Sequence, residues 1–193
     1  MTLENIEKIL KFKCPRWDEL PEGPLFNKEV VNYINEIFDP LMLEEKAITT
    51  TMVQNYIKWG FIPKPEGRKY NKTQIAYLVV ISIYKQVLNI KDVRRGVDLQ
   101  LDLMDRKSAY NNFANALDMA LNRTFKSIVE ENKFKLGEFE NTPKTAGIDV
   151  IAHAFSLKLL GTLIIINDGF YGLGGDNNEQ NRNNRRYSPG SRP

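Results

Sequence analysis

Lysine and arginine side chains are concentrated in one fifty-residue stretch of this 193-residue chain. Residues 46–95 hold ten of them against two acidic residues, a net charge of +8, whereas residues 1–45 hold five against ten. Positive charge gathered in one segment is typical of a surface that binds a polyanion such as nucleic acid. The alternative is a solvated basic face without a partner, and charge alone does not separate the two.

Within this stretch, residues 50–59 (TTMVQNYIKW) alternate polar and apolar side chains at the spacing of a helix. We expect the apolar side to face the core, with Met52, Val53, Ile57 and Trp59. The outward residues would then be Thr50, Thr51, Gln54, Asn55 and Lys58. Glutamine and asparagine can pair with adenine through two hydrogen bonds in the major groove. This helix is therefore predicted to read DNA bases.

The next segment, residues 61–70 (FIPKPEGRKY), is predicted to be a loop or a short hairpin, because two prolines and a glycine exclude a helix. Its Lys64, Arg68 and Lys69 suit phosphate contacts, since charge-assisted hydrogen bonds to phosphate are strong. Tyr70 could either donate to a phosphate or anchor the loop in the core. Gly60, just before the loop, fits the left-handed residue that commonly follows a helix.

The rest of the chain is predicted to be almost entirely helical, so the expected fold class is all-α. Apolar residues recur at helical spacing over about 3–10, 27–38, 71–88, 108–131 and 146–166, and a short helix is expected at 90–97. Asn27 is expected to N-cap its helix, and Asn71 with Gln74 has the form of a capping box. Residues 14–25 read as a connector and 39–47 as a long turn.

Residues 52–78 (MVQNYIKWGFIPKPEGRKYNKTQIAYL) resemble the conserved block of the MerR family of bacterial regulators. That block runs from a tyrosine-bearing helix through a glycine, a proline and a basic wing to a capped helix. An uncharacterised MerR-related family of Gram-positive bacteria, a domain of unknown function, is closer still. Its NYxK, Lys-Tyr and KQVL motifs stand here at residues 55–58, 69–70 and 85–88, and WDELP at 17–21 also resembles it.

The resemblance implies a winged helix-turn-helix that binds double-stranded DNA, with residues 50–59 as recognition helix and 61–70 as wing. It places Tyr56, Arg68 and Lys69 at positions that contact phosphate in the MerR family, and Lys58 at a basic helix position. Gln54 and Asn55 depart from the arginine and tyrosine of the MerR pattern, which leaves the operator sequence open. A compact first helix is not evident upstream, and no long heptad coiled coil follows.

On this interpretation the chain has four parts. These are an N-terminal helix and connector (1–25), the winged helix-turn-helix (26–100), a C-terminal helical region (101–168) and a disordered tail (169–193). The C-terminal region is expected to dimerise the protein or to sense an unknown effector. Residues 159–166 are more apolar than a surface helix requires, which favours a homodimer. Alternatively, residues 1–45 cover that helix within one chain.

No set of residues in the sequence points to an enzyme, since a nucleophile, a base and an oxyanion site do not occur together. One cysteine, Cys14, and one histidine, His153, cannot build a metal site, so both are expected to be structural. We expect no cofactor, no membrane span and a cytoplasmic location. The competing function is a protein–protein adaptor with a degenerate winged helix and no DNA affinity. RNA binding and an unrecognised enzyme are the remaining alternatives.

Overall fold

The computed structural model describes residues 3–43, 45–135, 142–170 and 173, and this part of the chain is mostly helical. Its helices are α1 (Leu3–Lys11), α2 (Asn27–Phe38), α3 (Thr50–Lys58), α4 (Lys72–Tyr84), α5 (Ile90–Leu103), α6 (Arg106–Glu131) and α7 (Ala146–Ile166). Two short strands, β1 (Leu25–Phe26) and β2 (Lys69–Tyr70), pair antiparallel. The predicted all-α class is confirmed.

Helix α4 is the central element, as its apolar circumference predicts. Ile75, Leu78, Val79 and Ile83 are all buried, and the helix contacts α2, α5, α6, α7 and β2. The predicted capping box at its start is confirmed. Asn71 accepts from the backbone N–H groups of residues 73 and 74, and the Gln74 side chain accepts from the Asn71 N–H at 2.9 Å.

The N-terminal segment packs against α6. Helix α1 contacts α6 and buries Ile6 and Ile9. The Asp118 carboxylate on α6 accepts from the Cys14 N–H at 2.9 Å and from the Arg16 guanidinium at 2.8 Å. Burial raises the pKa of the Cys14 thiol, so Cys14 is a buried structural residue, as expected.

Helices α6 and α7 lie against each other along their length, and α7 buries Phe155, Leu159 and Leu163 in the shared core. By length and composition alone, α7 could also cross a membrane. Beyond it, Phe170 packs against the core and Leu173 is buried. The other residues of the predicted disordered tail, 171–172 and 174–193, lie outside the described residues.

Two local expectations were wrong. Asn27 does not cap α2 but is its first residue, because β1 ends at Phe26 and the Glu29 carboxylate accepts the Phe26 N–H at 2.7 Å. Helix α5 runs on to Leu103, since Gly96 is tolerated in its interior and its far side is solvated. The helix predicted at 27–38 is confirmed as α2. It contacts α3, and its Asn35 side chain hydrogen-bonds both backbone groups of Ile48.

Candidate nucleic-acid interface

Helix α3 has well-defined ends on both sides. The Thr49 hydroxyl accepts from the Met52 N–H at 3.3 Å and caps the first turn. At the other end Gly60 adopts φ +68°, the Gly60 N–H donates to the Ile57 carbonyl at 3.0 Å and the Phe61 N–H donates to the Tyr56 carbonyl at 2.8 Å. This is a Schellman ending, which requires a left-handed residue and stops the helix sharply. The chain therefore leaves α3 in a fixed direction toward the loop.

The two faces of α3 differ as the sequence pattern predicts for most positions. Val53 and Tyr56 are buried in the core. Thr50, Thr51, Gln54 and Lys58 are exposed, and Asn55 is half-buried. The Tyr56 ring packs edge-on against Phe61, with centroids 6.4 Å apart, and burial raises the pKa of Tyr56. The polar residues share one outward face, whereas Tyr56 is an anchor beneath it.

Trp59 is the exception on this helix. We expected it to face inward, but its side chain is 54% exposed, so that expectation was wrong. Trp59 directly follows the last residue of α3, and its ring packs edge-on against Phe61 at 5.9 Å. Because the Schellman ending turns the chain here, the ring projects from the end of the helix instead of continuing its apolar side.

The loop over residues 61–70 is held to the core at several points and exposes its cations. Ile62 is buried, and the buried Gln74 amide of α4 donates to the Lys64 carbonyl at 3.5 Å. Gly67 adopts φ +64° in a turn. Three cations of the loop are exposed: Lys64, Arg68 and Lys69. The backbone of the loop is thus anchored while its charged side chains face solvent.

The loop ends in a strand whose partner lies far back in the sequence. Tyr70 and Lys69 of β2 pair with Leu25 and Phe26 of β1, so the predicted hairpin within the loop does not form. Tyr70 is buried and its hydroxyl accepts from the Asn27 amide at 3.4 Å. Of its two predicted roles, the buried position matches the anchor. Phe26 is half exposed, and the Lys69 Nζ lies 4.9 Å from its ring centroid.

We call residues 50–70 the α3–loop surface. Among the residues that the structure describes, Lys58, Lys64, Arg68 and Lys69 have no carboxylate partner. The Lys69 ammonium group lies over the Phe26 ring. The one acidic residue in the segment, Glu66, is exposed in the loop. Four cations on a rigid frame, none paired with a carboxylate, produce a positive potential that attracts polyanions.

A comparison with known families matches residues 15–117 to the domain of unknown function DUF1836. The chain belongs to this family. No curated protein and no solved structure matches the chain. Nothing in these comparisons assigns the chain to the MerR family, so that relation stays a hypothesis.

The DUF1836 match spans the connector, both strands, helices α2 to α5 and the first half of α6. The whole α3–loop surface therefore lies inside the family's domain. The matched region also contains the contact that ties α5 to the end of α3, in which the Arg94 guanidinium donates to the Gly60 carbonyl. Arg94 pairs with Asp98 as well, at 3.3 Å, so this arginine acts as a brace and not as a free cation.

Sequence reasoning missed three residues of this region: Phe26, Asn27 and Arg94. Asn27 donates to the Tyr70 hydroxyl and, at 3.5 Å, to the Thr50 carbonyl, so it joins β2 to the start of α3. These two contacts join Asn27 to residues that follow it by 23 and by 43 positions, a separation that local sequence patterns do not show. Gly60 predicted the end of α3, but no sequence feature indicated the Arg94 contact with its carbonyl.

Lys85 lies behind α3 and is not part of the exposed charge. Its Nζ is 3.7 Å from the Met52 Sδ, and burial lowers the pKa of this ammonium group. Both side chains are partly buried, and their contact joins α3 to the end of α4. The exposed cations and this half-buried one therefore have different roles.

Proposed function

We propose that this protein is a sequence-specific regulator of transcription that binds double-stranded DNA through the α3–loop surface. Helix α3 would enter the major groove with Gln54 and Asn55 toward base edges, and the loop would lie along the phosphates as a wing. The observation that carries the proposal is the set of four cations without carboxylate partners beside a polar helix face. A base-reading helix flanked by phosphate contacts needs both features.

The order of parts supports a winged helix-turn-helix related to the MerR group. Strand β1, helix α2, a turn, helix α3, the basic loop and strand β2 follow one another, and β1 pairs with β2. In a helix-turn-helix the first helix supports the second, and here α2 contacts α3. Arg68 and Lys69 are the residues we assign to phosphate; the buried Tyr56 and Tyr70 would position them.

The competing proposal is a protein–protein adaptor that keeps this frame without DNA affinity. An adaptor has no need for four cations held apart from carboxylates, since a typical protein interface depletes lysine at its centre. Selection of bound fragments from a random DNA pool by the full-length chain separates the two. A regulator yields an enriched motif whose binding weakens steeply with salt. The absence of any enriched motif at low salt would reject the DNA proposal in favour of the adaptor.

We further propose that the protein is a homodimer that pairs through α7. One recognition helix reads only a few base pairs, so regulators commonly join two half-sites about one helical turn apart. Helix α7 keeps an apolar stripe of which Val150 (54% exposed), Ala154 and Ile165 (78% exposed) are exposed among the described residues, while Gly161 is half-buried. An apolar helix stripe of this length is typical of an interface.

The dimer can be tested on the full-length chain by sedimentation. Ile165→Glu adds a charge to the stripe without touching the buried side of α7, so it should convert a dimer into a folded monomer. The matched control, Val129→Glu, adds the same charge on the exposed side of α6. A wild-type protein that sediments as a monomer at tens of micromolar, roughly where a specific dimer forms, would end this proposal.

A further inference from the structure

A cavity of about 230 Å³ lies between α4, α5, the start of α6 and the start of α7, away from the α3–loop surface. Its wall is mainly apolar and aromatic, with Tyr77, Val80, Leu99, Leu103, Phe113 and Ile148 among its residues. Leu99 and Leu103 on α5 are each more than half exposed although they face an apolar space. An engineered cavity of about 150 Å³ with such a lining stays dry and takes up benzene, so this one can hold a larger apolar molecule.

The charged side chains that line the cavity within the described part of the chain are all of one sign. Arg106 and Lys144 line it, and no described acidic residue does. Neither cation has a carboxylate partner within the described part of the chain. The neighbouring Asp105 carboxylate is held by Ser108, accepting from its N–H at 3.0 Å and its hydroxyl at 2.6 Å. Arg106 is also the first residue of the 26-residue α6, where the helix dipole favours an anion.

We propose that this cavity binds a small amphiphile, with an apolar body inside and an anionic head group at Arg106 and Lys144. The apolar wall supplies the burial that favours binding, and a few polar groups at the mouth fix the orientation, as in most small-molecule sites. A carboxylate head can accept two hydrogen bonds from the Arg106 guanidinium. A neutral or cationic amphiphile of the same length lacks that contact.

Two of the helices that line the cavity also hold the α3–loop surface. Thr73 and Ala76 of α4 line the cavity and are the neighbours of Gln74, whose side chain donates to the Lys64 carbonyl. Gly96 and Val97 of α5 line it within one turn of Arg94, which donates to the Gly60 carbonyl. A bound amphiphile would therefore bias the helix end and the loop, and would act as an effector; this role, unlike the binding itself, rests on the proposed function.

Binding is tested on the full-length protein without DNA, with anilinonaphthalene sulfonate as a fluorescent anionic amphiphile and octanoate as competitor. We expect saturable binding at one site per chain, with octanoate displacing the dye and octanol and octylamine weaker by roughly tenfold or more. Equal competition by octanol and octanoate would overturn the anionic head group. Binding that does not saturate would overturn the site.

Gly96→Leu should fill part of the cavity, because Gly96 lines it and a Cβ at this position meets no heavy atom within 4 Å. Leucine is also the better helix former, so the variant should fold at least as well as the wild type while dye affinity falls at least tenfold. Asn122→Leu is the control, because it adds the same side chain at an exposed position of α6 that does not line the cavity. Unchanged dye binding in a folded Gly96→Leu variant would place the dye elsewhere and overturn the proposal.

Arg106→Gln tests the head group, with Lys133→Gln as a control that removes an equal charge away from the cavity. We expect Arg106→Gln alone to abolish the preference for octanoate over octanol. The effector role is read by adding octanoate to the DNA complex. If octanoate changes the DNA affinity of the wild type but not that of Gly96→Leu, the effector role is supported. If octanoate leaves the DNA affinity of the wild type unchanged, the effector role is overturned. If the protein binds no DNA at all, the function proposal fails while the dye and octanoate results still decide the site.

Discussion

Several cations on α1 and α6 pair with carboxylates, whereas, among the described residues, the four on the α3–loop surface do not. Lys8 pairs with Glu4 at 3.0 Å, Lys107 with Asp18 at 2.7 Å and Lys126 with Glu130 at 3.7 Å. Lys58, Lys64 and Arg68 have no such partner in the part of the chain that the structure describes. Unpaired like charges repel one another and add nothing to the stability of the chain. The polyanion that we propose as partner would pair with the second set.

The two regions also differ in what holds them together. The contact between the N-terminal segment and α6 includes a buried carboxylate, Asp118, that serves both a backbone N–H and a guanidinium. The α3–loop surface is fixed instead at the helix ends, through the Schellman ending at Gly60 and the capping box at Asn71, without a buried ion pair among the described residues. Its outward side chains are therefore not needed to hold the fold. We expect substitutions of them to change binding without changing stability.

The largest effect on folding is expected from Asp118→Ala. It leaves the buried Cys14 N–H and the Arg16 Nη2 without their acceptor, so the free energy of unfolding should fall by about 2–3 kcal/mol. Urea denaturation measures it, and the DNA salt dependence of the folded variant should not change. Glu130→Ala removes only an exposed pair and should cost less than about 1 kcal/mol. An equal loss of unfolding free energy in the two variants would contradict the expectation that the buried carboxylate contributes more than the exposed one.

Substitution of Gln54 or Asn55 by Ala is expected to leave folding intact and to relax base preference. The loss of a paired contact should cost about 1–3 kcal/mol against the preferred base at one position of the site. Fragment selection with each variant measures this, with Asn122→Ala on the exposed side of α6 as control. An identical enriched motif for the wild type and both variants would show that α3 does not read sequence.

Gly60→Ala is expected to have a smaller effect, which lowers both the stability of the protein and its affinity for DNA. A left-handed backbone costs a non-glycine residue about 1–2 kcal/mol, and a Cβ here would lie 3.3 Å from the Arg94 guanidinium. Thermal unfolding should show that loss, and DNA affinity should fall because the end of α3 and the loop shift. Gly23→Ala, at a glycine without positive φ and with open space, is the control. If Gly60→Ala unfolds at the same temperature as the wild type, the left-handed glycine does not stabilise the end of α3.

Sequence reasoning predicted the local features well, because their causes are local. The helical periodicity of α4, its capping box and the glycine after α3 each depend on residues within a few positions. The β1–β2 pair could not be predicted, since two-residue strands carry no alternation pattern and their partners lie some 44 positions apart. The contact of Cys14 with Asp118 spans 104 positions. The outward position of Trp59 depends on a turn that the helix pattern alone does not contain.

The salt dependence of DNA binding shows whether the cations of the α3–loop surface contact phosphate. The double variant Arg68→Ala/Lys69→Ala should bind all sequences more weakly and lower the slope of log affinity against log salt by about 2, near one per lost phosphate contact. The control Lys107→Ala/Lys126→Ala removes the same charge from paired positions and should keep the wild-type slope. The same slope in all three proteins would contradict the account.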